Sequence, residues 1–118
     1  MKRILWVDDE IELLKPHIIL LEQRGYEVET ATNGEDAIEL GKTQSFDLIF
    51  LDEMMVGMSG LETLDILKDI NASVPVVMVT TEYDPQKLAD VYQLGVSAIC
   101  NKSFDPELVR NIVQRLFK

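Results

Sequence analysis

The sequence lacks the cysteines and the long apolar runs that mark secreted and membrane proteins. Its 118 residues include one cysteine, Cys100, so no intrachain disulfide can form, which suits a reducing compartment such as the cytosol. Residues 1–3 are followed by only four apolar residues, too few for a signal peptide, and no apolar run approaches membrane-spanning length. We therefore expect a cytoplasmic protein with no membrane association.

Basic residues are also scarce. Lysine and arginine together number 11 against 21 aspartates and glutamates, which gives a net charge of −10. A surface of this sign repels the phosphate backbone of nucleic acids, and no basic cluster interrupts it, so we expect no direct nucleic-acid binding. The length fits one domain, residues 1–118, with a single core, and the chain has no linker, repeat or low-complexity tract.

Two local patterns alternate along the chain. Short apolar or alternating runs predict five β-strands, at residues 4–7, 27–31, 47–51, 76–79 and 97–101. Apolar residues at helical spacing, preceded by capping residues, predict five helices, at residues 11–24, 35–40, 60–70, 85–94 and 106–117. Short strands joined by helical crossovers require a mostly parallel sheet with helices on both faces, so the predicted fold class is α/β.

Two helix boundaries depend on special residues. Pro16 lies inside the first helical pattern, which implies either that the helix starts late, near Leu13, or that it is distorted at the proline. Gly41 follows a short helical stretch that begins at Glu35, and we expect this glycine to end the helix at Leu40.

Polar side chains stand where four of the five predicted strands end. The buried central strand stops at Asp52, and the first strand stops at Asp8 and Asp9. The fourth and fifth strands end at Thr80 and Lys102. Because the carboxyl ends of parallel strands share one edge of a sheet, where ligands bind in open α/β folds, we expect these side chains to converge.

The chemistry of this set favours phosphoryl transfer. Carboxylates gathered at one edge repel one another, and a divalent cation relieves that repulsion; oxygen ligands alone select Mg²⁺. Lys102 adds a positive charge, and the hydroxyl of Thr80 can bond to a phosphoryl oxygen. Asp52 is then placed to become an acyl phosphate. Each residue alone is as readily explained as a turn, cap or surface residue, so the hypothesis depends on their ordered combination.

Over essentially its full length the chain resembles the receiver domain of two-component response regulators, of the single-domain, CheY-like type. The residues that carry the resemblance are Ile4–Glu10, Asp52 with Met55, Met58 and Gly60 after it, Val79–Thr80, and Lys102. The resemblance implies a flavodoxin-like (βα)5 three-layer sandwich whose parallel five-stranded sheet has the order 2-1-3-4-5.

The resemblance also implies roles for these residues. Asp52 would accept a phosphoryl group from a sensor histidine kinase or a phosphotransfer protein, and Thr80 and Lys102 would hold the phosphoryl oxygens. The ligands of Mg²⁺ would be Asp8 through a water molecule, Asp9, Asp52 and the backbone carbonyl of Met54. The protein would be a signalling switch and not a turnover enzyme.

The expected output of that switch is a protein contact. By resemblance, phosphorylation would shift the surface made by the fourth helix, the last strand and the last helix, which would meet a downstream protein target. We expect a monomer or a weak dimer.

The sequence departs from the family pattern at three positions. Ile99 stands where the family usually has an aromatic switch residue. The change at the output surface must therefore be signalled without an aromatic side chain that moves. Ser103 follows Lys102 in place of proline; a cis bond there would cost about 3–4 kcal/mol, and both isomers stay open. Val56 replaces a proline in the loop after Asp52, so we expect that loop to be softer.

Three other functions compete with the phosphoacceptor. The departures in the switch region suggest a pseudo-receiver that binds partners without phosphorylation, although Asp52 and the residues grouped with it are intact. A flavodoxin-like electron carrier would need a phosphate-binding loop after the first strand, where the acidic residues 8–10 would repel phosphate. A Mg²⁺-dependent phosphatase would need a general acid two residues after Asp52, where Met54 stands.

Overall fold

The computed structural model describes residues 1–81, 84–102 and 106–117. Strands and helices alternate along these ranges. The strands are β1 (Arg3–Val7), β2 (Glu27–Ala31), β3 (Leu48–Asp52), β4 (Val76–Thr80) and β5 (Ala98–Asn101). A short 3-10 helix (Ile11–Leu14) precedes the first of the helices, which are α1 (Lys15–Gln23), α2 (Gly34–Thr43), α3 (Gly60–Ile70), α4 (Pro85–Gln93) and α5 (Pro106–Leu116).

The five strands form one parallel sheet in the order β2-β1-β3-β4-β5, which confirms the predicted flavodoxin-like topology. The central strands β1, β3 and β4 are buried along almost their whole length, because helices cover both faces of the sheet. The edge strands β2 and β5 are less buried. The continuous apolar runs and the alternating run in the sequence are therefore explained by central and edge positions.

Apolar side chains pack in two layers, one on each face of the sheet. On one face Trp6 and Phe50 stack with their ring centroids 4.2 Å apart, in a cluster that includes residues of α1 and α5. On the other face Leu5 and Leu51 belong to a cluster that includes residues of α2, α3 and α4. The result is the predicted three-layer sandwich, with two helices on one side and three on the other.

The structure decides the alternative at Pro16 in favour of a late helix start. The 3-10 helix ends at Leu14, α1 begins at Lys15, and Pro16 occupies the second helical position. The first backbone N–H groups of a helix have no intrahelical acceptor, so a proline in the first turn removes no hydrogen bond of the helix.

The predicted end of α2 at Leu40 is wrong, because the helix continues through Gly41 to Thr43. A Cβ atom at position 41 would lie 3.2 Å from Cδ2 of Leu67 in α3, closer than ordinary packing allows. The glycine therefore serves the close approach of α2 to α3, and its missing side chain does not end the helix.

The start of α3 is packed against the end of β3. Ser59 and Glu62 form the predicted capping box, in which each side chain accepts a backbone hydrogen bond from the other residue. A Cβ atom at Gly60 would lie 2.3 Å from the carbonyl oxygen of Asp52 and 2.6 Å from Cα of Glu53. Only glycine permits this contact, so position 60 helps to place the backbone that carries Asp52.

Candidate functional site

The carboxyl ends of the strands meet at one edge of the sheet, where the side chain of Lys102 joins three acidic residues. Its Nζ lies 3.3 Å from Oδ1 of Asp8, 3.1 Å from Oδ2 of Asp52 and 2.9 Å from Oε1 of Glu10. The outer pair, Asp8 and Lys102, is 94 positions apart in the sequence. The strand ends thus converge as the sequence predicts, and the lysine spans the resulting group of carboxylates.

Asp8 is fully buried and only partly satisfied. Its Oδ1 accepts hydrogen bonds from the backbone N–H of Glu10, at 2.8 Å, and from Lys102. Its Oδ2 accepts no hydrogen bond from any residue that the structure describes. A buried carboxylate oxygen without a donor is costly, and a cation is the simplest way to satisfy it.

Asp9 is exposed and lies beside the loop that follows β3. Its Oδ2 accepts a hydrogen bond from the backbone N–H of Val56, at 3.3 Å. One carboxylate oxygen from each of Asp8, Asp9 and Glu10 can be chosen so that all three lie within 4.8 Å of one another. Oxygen donors at this spacing fit a hard divalent cation such as Mg²⁺.

Met54 contributes its backbone to this edge. Its N–H donates to Oδ1 of Asp52 at 3.3 Å, so the main chain of residue 54 lies next to the carboxylate, while its side chain is largely exposed. This is the position at which a backbone carbonyl was predicted as a metal ligand. The phosphatase alternative, which needs an acid at this position, has only an exposed thioether there.

Thr80 ends β4 beside the same group and is buried. Asp52 pairs with Val79 in the register of β3 and β4, so Thr80 lies one residue farther towards the site. The carbonyl oxygen of Thr80 accepts a hydrogen bond from the backbone N–H of Lys102, at 3.0 Å. The two residues predicted to hold phosphoryl oxygens are therefore tied together through the main chain.

The electrostatics of the site bring the pKa of Asp52 closer to neutral pH. Burial, followed by the neighbouring charge of Asp8, raises the pKa of Asp52 from 3.8 to about 6, although the contacts with Lys102 and with the N–H of Met54 pull it down. Burial alone lowers the pKa of the Lys102 ammonium, but its hydrogen bonds to Glu10 and Asp52 outweigh burial and hold that pKa above its usual range. At neutral pH the carboxylate of Asp52 is mostly ionised and the lysine is charged.

This raised pKa predicts a pH-dependent effect of Asp52→Asn on stability. Between pH 3.8 and about 6 the folded protein holds a proton that the unfolded chain releases, so the free energy of unfolding falls as pH rises through this window. The shift corresponds to at most about 3 kcal/mol. Since asparagine loses the charge-assisted bond to Lys102, we expect Asp52→Asn to stabilise the metal-free protein by about 2 kcal/mol above pH 6.

Urea unfolding in a chelating buffer measures this effect at about pH 8 and at about pH 4, where the gain should vanish. Asp69→Asn, which changes an exposed carboxylate on α3, is the matched control and should leave the stability unchanged. A gain of equal size at both pH values, or no gain at either, would contradict the electrostatic account of Asp52.

Of the three departures from the family pattern, two lie within the described residues. Ile99 is half-buried and packs against the cluster on the α2–α4 face of the sheet. Val56 is 85% exposed, and its N–H is the group that contacts Asp9, a hydrogen bond that proline could not make. The peptide bond between Lys102 and Ser103 and the cap predicted at Asp105 lie outside the described residues.

Sequence reasoning missed two features of this region. Glu10 is a partner of Lys102, and the signal for it was present, because it continues the acidic run after the first strand. Glu53, directly after Asp52, is buried and forms an ion pair with Lys87 of α4. A long-range pair of this kind leaves no local pattern, so the sequence alone could not have revealed it.

The prediction for the single cysteine is confirmed. Cys100 is buried, and burial raises the pKa of its thiol to about 12.

Comparison with known proteins decides the family. The sequence model of the response regulator receiver domain matches residues 4–114. The chain belongs to this family. A transcriptional regulatory protein of Haemophilus influenzae, the CpxR homolog, is 37% identical over 113 residues, which cover 95% of this chain and 49% of that protein. The receiver domain spans about half the length of the curated relatives it matches.

Solved receiver structures agree with the fold. Chemotaxis protein CheY4 of Vibrio cholerae is 32% identical and superimposes with a TM-score of 0.91 over 98% of both chains. The response regulator TrrA of Thermotoga maritima, solved in complex with Mg²⁺ and BeF, is 31% identical with a TM-score of 0.85 over 98% of this chain and 99% of that one. None of the described helices has the length and apolar character needed to cross a membrane.

Proposed function

We propose that this receiver domain is a phosphoacceptor switch in which Asp52 takes a phosphoryl group in a Mg²⁺-dependent reaction. The observation that carries the proposal is the position of Lys102 Nζ between two buried carboxylates, Asp8 and Asp52, one of which keeps an unsatisfied oxygen. A pocket built only to stabilise the fold would pair these charges fully, because an unpaired buried charge is costly. This pocket instead has capacity left for a cation and an anionic group.

The metal would be held by Asp9, Asp52 and the carbonyl of Met54, with Asp8 acting through a water molecule. When bound, Mg²⁺ supplies positive charge that offsets the acidic cluster and the incoming phosphoryl oxygens. Asp52 would gain from that compensation, because it is buried beside the charge of Asp8.

The chain's own residues divide the remaining work. An ionised oxygen of Asp52 attacks the phosphorus of a phosphohistidine, the P–N bond breaks, and the imidazole leaves and takes up a proton. Lys102 then turns from the carboxylates it now joins towards the transferred oxygens, where its charge is worth most. The hydroxyl of Thr80 donates to another of these oxygens. Because the backbone N–H of Lys102 donates a hydrogen bond to the carbonyl oxygen of Thr80, the two residues can move together when the phosphoryl group is bound.

The family supports a proposal about the partners. Receiver domains receive phosphoryl groups from histidine kinases or phosphotransfer proteins and act as signalling switches, not as turnover enzymes. For this chain we propose the same donors, a downstream protein target, no direct nucleic-acid contact by this domain, a cytoplasmic location, and a monomer or weak dimer. The net charge of −10 supports the absence of nucleic-acid contact.

The test is incubation with Mg²⁺ and a small-molecule phosphodonor, followed by mass spectrometry of the intact protein. We expect a mass gain of one phosphoryl group that requires Mg²⁺ and disappears in Asp52→Asn, while Asp69→Asn gains it as the wild type does. No gain in the wild type, although the protein is folded, would favour the pseudo-receiver alternative. A gain that survives Asp52→Asn would place the acceptor elsewhere.

A further inference from the structure

The residue after the acceptor carries a second, separate charge. Glu53 directly follows the last residue of β3, and the contact of its carboxylate with α4 places it on the face of the sheet covered by α2, α3 and α4. Glu53 is 4% exposed, and its carboxylate forms an ion pair with Nζ of Lys87, the third residue of α4. Adjacent residues of the chain thus connect to the acceptor site and to α4.

The main chain of Glu53 is held from two sides. Its N–H donates to the carbonyl oxygen of Val79, the residue before Thr80, at 3.0 Å. Its carbonyl oxygen accepts the N–H of Gly60, the first residue of α3, at 2.9 Å. A displacement of the strand ends at the acceptor site therefore reaches Glu53 through hydrogen bonds that leave it little freedom.

α4 is the helix least anchored by apolar burial. Of its nine residues only Val91 is buried, whereas α3 buries two leucines, Leu64 and Leu67. Val91 lies in the second half of the helix; in the first half Leu88 is half-buried and Lys87 forms the ion pair with Glu53. Few buried apolar contacts are the mark of an element that opens or shifts at low cost.

We propose that the Glu53–Lys87 pair is a latch that holds α4 in its resting position and couples that position to the state of Asp52. The inference rests on the proposed phosphoacceptor function. It identifies the contact that transmits the state of Asp52 to α4. It also offers a coupling route in a chain that has Ile99 in place of an aromatic residue. The carboxylate of this pair is buried, whereas the lysine side chain is 34% exposed. Such a pair adds little net stability over apolar packing, which makes a switching role the better explanation of its presence.

The latch has a definite thermodynamic sign. The pair is formed while Lys102 is still bound to carboxylates, so it stabilises the resting arrangement. If binding of a phosphoryl group or its mimic at Asp52 moves α4 away, the ion pair must break. The free energy needed to break the pair then weakens the binding of that group. By linkage, removing the pair must then strengthen binding of a phosphoryl mimic by the same factor that loosens α4.

The experiment uses Mg²⁺ with beryllofluoride as the phosphoryl mimic and two readouts, affinity by calorimetry and hydrogen exchange of the α4 amides, residues 85–93. In Lys87→Met we expect mimic-free exchange in α4 to be at least about fivefold faster and mimic affinity at least about fivefold higher. Lys87→Arg keeps the charge and should behave as the wild type. Lys42→Met, which removes an exposed ion pair with Glu39 in α2, is the matched control and should also be unchanged.

The outcomes separate the two proposals. If the wild type does not bind the mimic, the phosphoacceptor function fails and the coupling fails with it. If the wild type binds but Lys87→Met shows unchanged affinity, only the latch is overturned. Because Lys87→Met leaves Glu53 buried and unpaired, the double variant Glu53→Met/Lys87→Met, with apolar groups in both places, guards against unfolding and should show the same gain in affinity.

Discussion

Lys102→Met is expected to lower the rate of phosphoryl incorporation at Asp52 by about 100-fold or more, the usual loss when one pre-placed charge that stabilises a transition state is removed. The ammonium now lies within 3.3 Å of oxygens on Asp8, Asp52 and Glu10, so it needs only a small shift to reach an incoming phosphoryl group. Methionine keeps an unbranched side chain, one heavy atom shorter, and removes the charge. The rate is measured as the time course of the mass gain with a small phosphodonor.

The same substitution should strengthen Mg²⁺ binding. The lysine charge repels a cation at the acidic cluster and occupies oxygens of Asp8 and Asp52, so its loss leaves the carboxylates more open to the metal. A slower transfer with tighter metal binding cannot result from unfolding, which would weaken both. Lys42→Met on α2 serves as the control and should change neither quantity. Unchanged transfer in Lys102→Met would remove this residue from the proposed mechanism.

Gly60→Ala is expected to destabilise the fold by about 3 kcal/mol, at the upper end of overpacking effects. The added Cβ would stand 2.3 Å from the carbonyl oxygen of Asp52, and backbone atoms cannot rotate away as a side chain can. The strand end or the start of α3 must therefore move. Since Asp52 belongs to that strand end, we expect phosphoryl incorporation to fall together with the free energy of unfolding in urea.

Gly41→Ala is the matched control for this prediction. A Cβ there would contact only flexible side chains, with Cδ2 of Leu67 nearest at 3.2 Å, and alanine favours a helix over glycine by about 1 kcal/mol. The two effects nearly cancel, so we expect stability within about 1 kcal/mol of the wild type and normal phosphoryl incorporation. If the two substitutions changed the free energy of unfolding and the phosphoryl incorporation equally, the close contact between α3 and the end of β3 would not explain the effect of Gly60→Ala.

The sequence was most informative about the residues at the strand ends. An apolar run that stops at a carboxylate, as at Asp52, predicts a buried strand, because the strands of a parallel sheet are apolar on both faces. It also predicts a polar residue at the carboxyl end of that strand. The parallel arrangement then brings Asp8, Thr80 and Lys102 to the same edge without further information. This is why residues 94 positions apart can be grouped from the sequence.

Features that depend on contact between elements were not accessible in this way. The true end of α2 is set by the approach of Gly41 to Leu67, where a local rule predicted a stop. The partner of Glu53 is a lysine of α4, and nothing near either residue in the sequence pairs them. The raised pKa of Asp52 likewise depends on how deeply it is buried beside Asp8.

The chain by itself determined the fold class, the order of its elements and the identity of the residues gathered at the sheet edge, because strand and helix periodicity and strand-end chemistry are local properties. Tertiary structure alone decided how those residues share charge: that Lys102 joins Glu10 as well as two buried aspartates, that one oxygen of Asp8 accepts no hydrogen bond among the described residues, and that Glu53 is paired with α4. Burial and distance fix such energies, and both exist only once the helices are packed on the sheet.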